Sequence, residues 1–525
     1  MRDFQLPGRS MALATNGMCA TSHPLAAKVA VQMLEAGGNA VDAAIAGAVV
    51  LGLCEPAMTG IGGDCFALVS PAGTDEVIAI NGSGRAPAGL NPDHIRDAGH
   101  TSIPIDGPEA ITIPGAVDAF CQMSADYGKM GLAASLAPAI YYAEAGVPVA
   151  PRAASDWALH HVRLKGVARQ HYLIDGAAPT TGQLFRAPGQ ADVLRRIAMD
   201  GPQAFYEGEV AEDMVKAVTA IGGTHTPADF AGNKSDYGTP VSGTYGGLEL
   251  LEHPPNGSGA MAILLLNILK HFDLGAMDPA GVERAHLETE AAKLGYDARD
   301  RIIADPDHTT RLEHMLAPET AAKLAALIDP KTALPFPAPM AEEVHKETIY
   351  ITVVDKDRMS VSLIYSVFKD FGSGVASDKF GILLHNRGGG FNLIPGHPNE
   401  AGPGKRPMHT IIPAMLRDKG RVCGSFGVMG GGYQPTGHAH VLTNMIDFGM
   451  DAQAAIDSPR CFFEKGKLKV ERGYTDAVRQ GLTDLGHDVI VPPQAIGGAQ
   501  MILISEDGIL RGGSDPRKDG IALGY

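Results

Sequence analysis

A helix formed by residues 41–53 would be apolar on nearly all of its faces, and this property limits the folds that the chain can adopt. A helix without a polar face has to be buried beneath a sheet or between two layers. A second helix is predicted just before it, because His23-Pro24 is typical of a helix start and the apolar spacing continues to Glu35. The N-terminal part therefore predicts helices that cover a sheet in a layered fold.

The sheets themselves are predicted mainly from the C-terminal third of the chain. There, β-branched and aromatic residues predict strands at 349–354, 359–365, 382–384, 422–428 and 501–505, with helices at 441–448 and 452–456. Upstream, strands are predicted at 66–69 and 78–80, with a turn at Asn81-Gly82, and helical patterns dominate residues 116–329. This order predicts two packed sheets with helices on their outer faces.

A glycine-rich segment, residues 59–64, precedes the first predicted strand. Glycines can expose backbone amides to a phosphate group, but this segment has neither the G-x-G-x-x-G spacing nor a G-K-[ST] ending. We therefore interpret it as a tight turn that feeds the strand at 66–69.

The charge balance limits the partners of the protein. Its 525 residues include 43 Lys and Arg against 59 Asp and Glu, which gives a net charge of -16 at pH 7. Such a surface repels nucleic acids and anionic membranes, so neither is expected as a partner. A small anionic substrate remains compatible, because one arginine in a cleft reverses the field locally.

The cysteines and the N-terminus indicate the compartment. Six cysteines occur without a C-x-x-C pair, so we interpret them as free thiols, most of them buried. The first residues lack the apolar core of a signal peptide, and no uncharged apolar run reaches about 18 residues. A cytoplasmic protein is therefore expected.

Thr348 comes directly before the predicted strand at 349–354 and follows a segment of unusual composition. Four prolines at 330–339 and a charged run at 342–347 come directly before it. If the chain were cut there, the new terminal Thr would supply a hydroxyl nucleophile and, in its α-amine, a base with a pKa of roughly 7.7 to 8.0. A surface loop leading into a half-buried strand is an equally good interpretation of the same pattern.

Several blocks along the chain resemble the gamma-glutamyltransferase family. They follow the family's order over nearly the whole chain and comprise residues 37–44, 55–56, 60–63, 348–356, 371–374, 381–384, 403–407, 430–431, 446–450 and 458–460. The resemblance implies an α+β protein with the four-layer αββα sandwich of the N-terminal nucleophile hydrolases. It also implies a precursor that cuts itself into a large subunit, residues 1–347, and a small subunit, residues 348–525, intertwined in one globular unit.

The resemblance assigns catalytic roles residue by residue. Thr348 matches the family's nucleophile, which puts the cleavage site between Glu347 and Thr348. Ser366 matches a hydroxyl that orients the amine of the nucleophile. Gly430 and Gly431 match the glycines whose N–H groups stabilise the tetrahedral oxyanion.

The sequence departs from the family where the family binds the amino and carboxylate groups of a glutamyl substrate. An Asn, a Gln, an Asp and a pair of Ser are replaced here by Phe368, Arg387, Gly390 and His409-Thr410. Without the acidic partner, a substrate α-ammonium has no carboxylate to pair with. Arg387, His409 and Thr410 are therefore predicted to bind a substrate carboxylate that lacks a neighbouring amine.

Arg85 is a further predicted contact for the substrate carboxylate. It lies two positions later than the carboxylate-binding arginine of the family. For both Arg85 and Arg387, a surface ion pair is the competing interpretation.

Three functions are compatible with this pattern. The family default is cleavage of gamma-glutamyl amides such as glutathione, and the altered pocket favours a small carboxylate-bearing amide such as oxamate. The third is an inactive family member that only binds ligands. No cofactor or metal is predicted, since neither H-E-x-x-H nor a cysteine ligand set occurs; a homo-oligomer is left open.

Overall fold

Two seven-stranded antiparallel sheets lie face to face at the centre of the fold. The structure is a computed structural model, and it describes residue 5, residues 8–335 and residues 348–525. Glu347, one half of the predicted cleavage site, lies outside the described residues.

The strands in the first half of the chain are β1 (Ala12–Ala14), β2 (Met18–Thr21), β3 (Asp64–Ser70), β4 (Ile78–Gly82), β5 (Val147–Pro148), β6 (Leu184–Phe185), β7 (Asp236–Gly238), β8 (Val241–Tyr245) and β9 (Leu248–Glu252). Those in the second half are β10 (Ile349–Val354), β11 (Ser360–Ser366), β12 (Ala414–Asp418), β13 (Arg421–Met429), β14 (Cys461–Glu464), β15 (Lys467–Val470), β16 (Val489–Ile490), β17 (Gly498–Ile504), β18 (Leu510–Ser514) and β19 (Ile521–Gly524).

The α-helices before Gly208 are α1 (Pro24–Glu35), α2 (Ala40–Cys54), α3 (Pro92–Asp97), α4 (Ala116–Tyr127), α5 (Leu132–Ala145), α6 (Pro151–His160), α7 (Ala168–Tyr172), α8 (Pro188–Asp200) and α9 (Gln203–Tyr206). The later ones are α10 (Gly208–Thr219), α11 (Pro227–Ala231), α12 (Gly259–Leu269), α13 (Val282–Ile302), α14 (Leu312–Leu316), α15 (Pro318–Ala325), α16 (Gln434–Ile446), α17 (Ala452–Asp457) and α18 (Asp476–Asp484).

The first sheet has the strand order β19-β2-β10-β11-β3-β4-β7, and the second has the order β1-β18-β17-β13-β12-β9-β8. Helices α1, α2 and α4 pack on the outer face of the first sheet, and α5 packs on α2; helices α12, α16 and α17 pack on the outer face of the second sheet, and α13 packs on α12. Between the sheets lies a smaller apolar layer that includes Phe66, Tyr350, Ile364, Ile411 and Met429. The predicted αββα order of layers is confirmed.

Helix α2 shows why the layering follows from the sequence. Every one of its residues is buried, as its lack of a polar face requires. Asn39 caps its first turn by accepting hydrogen bonds from the N–H groups of Val41 and Asp42, and Asp42 accepts the Asn39 N–H in return. The predicted helix at 41–53 is thus confirmed within one residue at each end.

Two local predictions were wrong. Asn81-Gly82 is not a turn, because β4 continues through both residues, which pair with Phe66 and Cys65 of β3. Residues 382–384 do not form a strand of either sheet; backbone hydrogen bonds tie them to residues 373–377 instead. In both cases pairing with distant or irregular segments prevails over local propensity.

None of the helices within the described ranges combines the length and the apolar character that crossing a membrane requires.

Candidate active site

Thr348 lies directly before β10, and it is fully buried. Ile349 pairs with Tyr365 in the antiparallel ladder, so the next position along brings Thr348 beside Ser366. The Thr348 Oγ1 and Ser366 Oγ atoms lie 3.3 Å apart. Ser366 Oγ also accepts a hydrogen bond from the N–H of Phe368 at 3.0 Å, which fixes its position. The structure therefore brings together the predicted nucleophile and its predicted orienting hydroxyl.

The Thr348 side chain lies on the face of the first sheet that is turned toward the second. On that face, the Tyr350 ring packs against Gly427, and the Thr352 hydroxyl is hydrogen-bonded to the hydroxyl of Ser425. Side chains alternate along a strand, so Thr348 follows Tyr350 on the same face. Thr352 faces Ser425 and Tyr350 faces Gly427, so each step of two residues toward the start of β10 is matched by a step of two residues toward the end of β13. Thr348 is therefore near the end of β13.

Two glycines form the turn that follows β13 and leads into α16. Gly430 has a φ of 120° and Gly431 a φ of 55°, a region that side-chain-bearing residues rarely adopt. A Cβ atom on Gly430 would lie 2.8 Å from the Cα atom of Gly497. A turn free of side chains can direct two N–H groups to one point, as oxyanion stabilisation requires.

A buried ionic network holds Gly497 against this turn. Arg460 Nη1 donates to the carbonyl of Ile496 at 2.8 Å, and Nη2 donates to Asp515 at 2.6 Å. The Asp515 carboxylate also accepts the N–H of Ala499 at 2.7 Å. Arg460 thus fixes the backbone on both sides of Gly497.

Asp64 lies at the centre of a group of basic side chains. Its Oδ2 atom is 3.2 Å from His385 Nδ1, 3.3 Å from Arg387 Nε and 3.1 Å from His409 Nε2. Arg387 Nη1 in turn donates to Thr410 Oγ1 at 3.3 Å. All five residues are buried, and we refer to them as the Asp64 cluster.

The Asp64 cluster lies beside the Thr348 site on the first sheet. Asp64 pairs with Ser366 in the ladder between β3 and β11, and Ser366 contacts Thr348. Neighbouring strands are about 4.8 Å apart, which separates the Thr348 and Asp64 backbones by roughly 10 Å. Of the predicted substrate contacts, Arg387, His409 and Thr410 are therefore near Thr348.

The Arg387 guanidinium is held on three sides. Besides its contacts with Asp64 and Thr410, its Cζ atom lies 4.3 Å from the centre of the Phe368 ring. Phe368 itself has a φ of 76°, a strained conformation for a residue with a side chain. The remaining nitrogen of the guanidinium, Arg387 Nη2, is also buried but has no hydrogen-bond partner among the described residues.

The cluster shifts the pKa values of its members. Burial alone would raise the pKa of the Asp64 carboxyl, but the neighbouring His385 and His409 rings outweigh it and hold that pKa well below the usual range. Burial, and then the Arg387 charge, lower the pKa of His409 to about 3. Burial lowers the pKa of Arg387 to about 10. Near neutral pH, Asp64 and Arg387 are charged and His409 is neutral.

Arg85 is not part of this cluster. The neighbouring Gly84 N–H donates to Asp64 at 3.2 Å, but the Arg85 side chain points into a separate cavity of about 340 Å³. There it lies 3.6 Å from Asp236 and 3.5 Å from Asp305. The structure thus favours the ion-pair interpretation for Arg85 and the buried-pocket interpretation for Arg387.

Two members of the Asp64 cluster, Asp64 and His385, were not predicted from the sequence. Asp64 ends the glycine-rich segment that we interpreted as a turn, and His385 follows the misassigned strand at 382–384. The signal that marks Asp64 is a carboxylate at the start of a strand whose residues are all buried, a position that needs buried cations. No local signal marks His385.

One group of donor atoms elsewhere in the described ranges has the spacing of a metal site. His286, Glu290 and His487 offer ligand atoms within 4.8 Å of one another. Glu290, however, already binds Lys293 Nζ at 2.7 Å and the N–H of Leu334 at 2.7 Å. Its charge is paired, so we interpret this group as structural.

Comparison with known proteins identifies the family. The model of the family described as gamma-glutamyltranspeptidase matches residues 26–525. The chain belongs to the gamma-glutamyltranspeptidase family. It is therefore an amide-bond hydrolase or acyltransferase with the fold of the N-terminal nucleophile hydrolases, as the resemblance implied.

Named relatives match this chain over essentially its whole length. A glutathione hydrolase-like proenzyme, YwrD, of Bacillus subtilis is 36% identical and covers 98% of this chain and 99% of its own. The oxamate amidohydrolase proenzyme of Klebsiella pneumoniae is 34% identical over the same shares. The crystal structure of a cephalosporin acylase from Bacillus halodurans has a TM-score of 0.93 and 38% identity, covering 100% of this chain and 99% of that one. These family members carry different substrate names, so the family alone does not fix the acyl group.

Proposed function

We propose that this family member is a self-processing threonine amidohydrolase, cut between Glu347 and Thr348 into subunits of residues 1–347 and 348–525. The observation that carries the proposal is the 3.3 Å contact between the buried hydroxyls of Thr348 and Ser366. The proenzyme names of two relatives over nearly their full length support it.

Processing follows from the chemistry of Thr348. Its hydroxyl oxygen attacks the carbonyl carbon of Glu347, the C–N bond breaks, and the acyl group moves from nitrogen to oxygen. Water then hydrolyses this ester, which leaves a carboxylate on Glu347 and a free α-amine on Thr348.

Turnover repeats the same attack on a substrate amide. The α-amine takes the proton of the Thr348 hydroxyl while the oxygen attacks the amide carbonyl, and the N–H groups of Gly430 and Gly431 stabilise the oxyanion. The α-ammonium protonates the leaving amine as the C–N bond breaks. Water, deprotonated by the α-amine, then attacks the ester carbonyl; the C–O bond to Thr348 breaks, the α-ammonium returns its proton to the Thr348 oxygen, and the acyl group leaves as a carboxylic acid.

We further propose that the acyl group carries a carboxylate and no α-amine. The two ring nitrogens of His385 lie 3.2 Å from Asp64 and 2.8 Å from the Thr112 carbonyl oxygen. Asp64 pairs with one permanent cation, the Arg387 guanidinium, whose Nε atom lies 3.3 Å away. The buried Arg387 Nη2, which has no hydrogen-bond partner among the described residues, favours a substrate carboxylate, whereas a guanidinium N–H cannot accept a hydrogen bond from a substrate ammonium.

Two matched anilides test this proposal. Glutaryl p-nitroanilide and γ-glutamyl p-nitroanilide differ only by the α-ammonium, and the methyl ester of the first lacks the negative charge. We expect kcat/KM to be highest for the glutaryl compound, by about tenfold or more over either analogue, which corresponds to one charge-assisted contact. Preferential turnover of the γ-glutamyl anilide would overturn the proposal.

Oxamate is the second candidate substrate, since the relative named for it is 34% identical to this chain. Ammonia release from oxamate, succinamate and glutaramate compares acyl groups of increasing length. If none of these compounds or anilides is turned over by a protein that has cleaved itself, the interpretation as a binding protein without turnover gains support.

A further inference from the structure

Asp64 is an ionised carboxylate and offers no donor to the substrate carboxylate that the cluster is proposed to bind, yet it contacts three cluster members. We propose that Asp64 is a positioning residue, whose carboxylate orients the Arg387 guanidinium so that Nη2 meets the substrate carboxylate. This inference rests on the proposed function, because it takes the carboxylate-bearing acyl group as given.

The contacts of Arg387 leave its guanidinium little freedom. Nε lies 3.3 Å from Asp64, Nη1 donates to Thr410 at 3.3 Å, and the Phe368 ring covers one face at 4.3 Å. A guanidinium is planar and rigid, so fixing two of its nitrogens fixes the direction of the third. Asp64 provides the charged member of this pair of contacts, and Thr410 the neutral one.

Asp64 is itself tied to the strand that carries Ser366. The two residues pair directly in the sheet. The preceding Gly63 lies so close to this strand that a Cβ atom on it would be 2.3 Å from the Ser366 carbonyl oxygen. The other oxygen of Asp64, Oδ1, accepts the N–H of Gly84 at 3.2 Å. The same pair of strands holds the Asp64 carboxylate and Ser366. The distance between the binding site for the substrate carboxylate and Thr348 is therefore fixed.

His409 strengthens the hold on Asp64 without adding charge. Its Nε2 atom donates to Asp64 at 3.1 Å, while Nδ1 accepts the N–H of Ile411 at 3.4 Å, which is the arrangement of a neutral ring. The ring packs against Phe66 with centroids 4.4 Å apart. His409 is therefore expected to act through Asp64.

The substitution Asp64→Asn distinguishes a positioning role of Asp64 from a purely electrostatic one, because the two roles predict opposite changes in KM for the glutaryl anilide. Removing a negative charge makes the pocket more positive, so electrostatics alone predicts that KM for the glutaryl anilide falls. Loss of positioning predicts that this KM rises by about tenfold or more, since the charge-assisted contact is lost. KM for the methyl ester is expected to stay within about twofold, because the ester does not use that contact.

A double-mutant cycle locates the effect at Arg387. Arg387→Met is expected to abolish the preference for the glutaryl anilide over its ester, and adding Asp64→Asn to it is expected to change KM no further. Asp305→Asn serves as the matched control: it also removes a buried carboxylate beside an arginine, Arg85, but in the separate cavity. We expect it to leave the preference intact.

Asp64→Glu decides the question if Asp64→Asn does not accumulate as folded protein. It keeps the charge and moves the carboxylate by one methylene group, so positioning predicts a weaker preference for the glutaryl anilide and weaker inhibition by glutarate. A wild-type enzyme without any preference for the glutaryl anilide would contradict the proposed function. A wild-type preference that Asp64→Asn or Asp64→Glu leaves unchanged or strengthens would overturn only the role of Asp64.

Discussion

The hydroxyl oxygens of Thr348, directly before β10, and Ser366, the last residue of β11, lie 3.3 Å apart. Ser366 is also held by the N–H of Phe368, the residue whose ring covers Arg387. Residues 366–368, at the end of β11, therefore set the position of both the proposed nucleophile and the proposed acyl pocket.

Ser366→Ala is expected to slow both self-cleavage and turnover. Without this hydroxyl Thr348 loses its orienting partner, and kcat should fall by about 10² with little change in KM. Ser362→Ala is the matched control, since Ser362 lies on the same face of β11 and its hydroxyl binds Tyr350 at 2.7 Å. Equal losses of kcat in the two variants would contradict the role given to Ser366.

Gly430→Ala is expected to lower kcat by about 10² to 10³, the usual cost of losing an oxyanion donor. The methyl group would clash with the Cα atom of Gly497, 2.8 Å away, and would displace the turn. Gly449→Ala controls for backbone strain, because Gly449 also has a positive φ, 62°, but has open space around it. Stopped assays with the glutaryl anilide measure kcat; an effect no larger than that of Gly449→Ala would rule out the proposed oxyanion turn.

Arg460→Ala is expected to destabilise the protein by about 3–5 kcal/mol, because it breaks a buried ion pair and removes the donor to the Ile496 carbonyl. Arg460 is fully buried and bonds both Ile496 and Asp515. Arg301→Ala, which removes an exposed ion pair with Asp297, should cost about 1 kcal/mol or less. Denaturant unfolding of both variants provides the comparison, and similar midpoints would contradict the assignment of Arg460 to the buried network.

Acidification is expected to destabilise the fold through buried histidines such as His225. Burial lowers its pKa to about 4, whereas an unfolded histidine titrates near 6.5. The unfolded state therefore binds more protons below pH 6.5, and the stability present above that pH is lost as the pH falls toward 4. In an uncleavable Thr348→Ala background, His225→Gln should reduce the loss of unfolding free energy between pH 7 and pH 5 by about 2 kcal/mol. A loss of the same size in both proteins would contradict this pKa shift.

The predictions from sequence succeeded where one local pattern decides the structure. The strand at 349–354 was predicted at its observed bounds, because a run of β-branched residues between polar ends has few alternatives. The contact between Thr348 and Ser366 follows from that strand and the next one, which are neighbours in both sequence and space.

The Asp64 cluster could not be predicted in the same way. Its contacts join Asp64 to residues more than 300 positions later in the chain, and no local periodicity encodes such a contact. The resemblance to the family identified Arg387, His409 and Thr410 as positions where this chain differs from it. It did not identify Asp64, the carboxylate that contacts Arg387 and His409. Arg85 was predicted to contact the substrate, but its side chain points away from the Asp64 cluster and toward Asp305. Only its neighbour Gly84 contacts the cluster.

The most direct test of the whole account is the intact mass of the purified protein. We predict two fragments from the wild type, with the smaller one beginning at Thr348 and ending at Tyr525, and a single uncleaved chain from Thr348→Ala. A soluble, folded wild type that remains one chain, or a Thr348→Ala variant cut at the same bond, would contradict the assignment of Thr348 as the nucleophile.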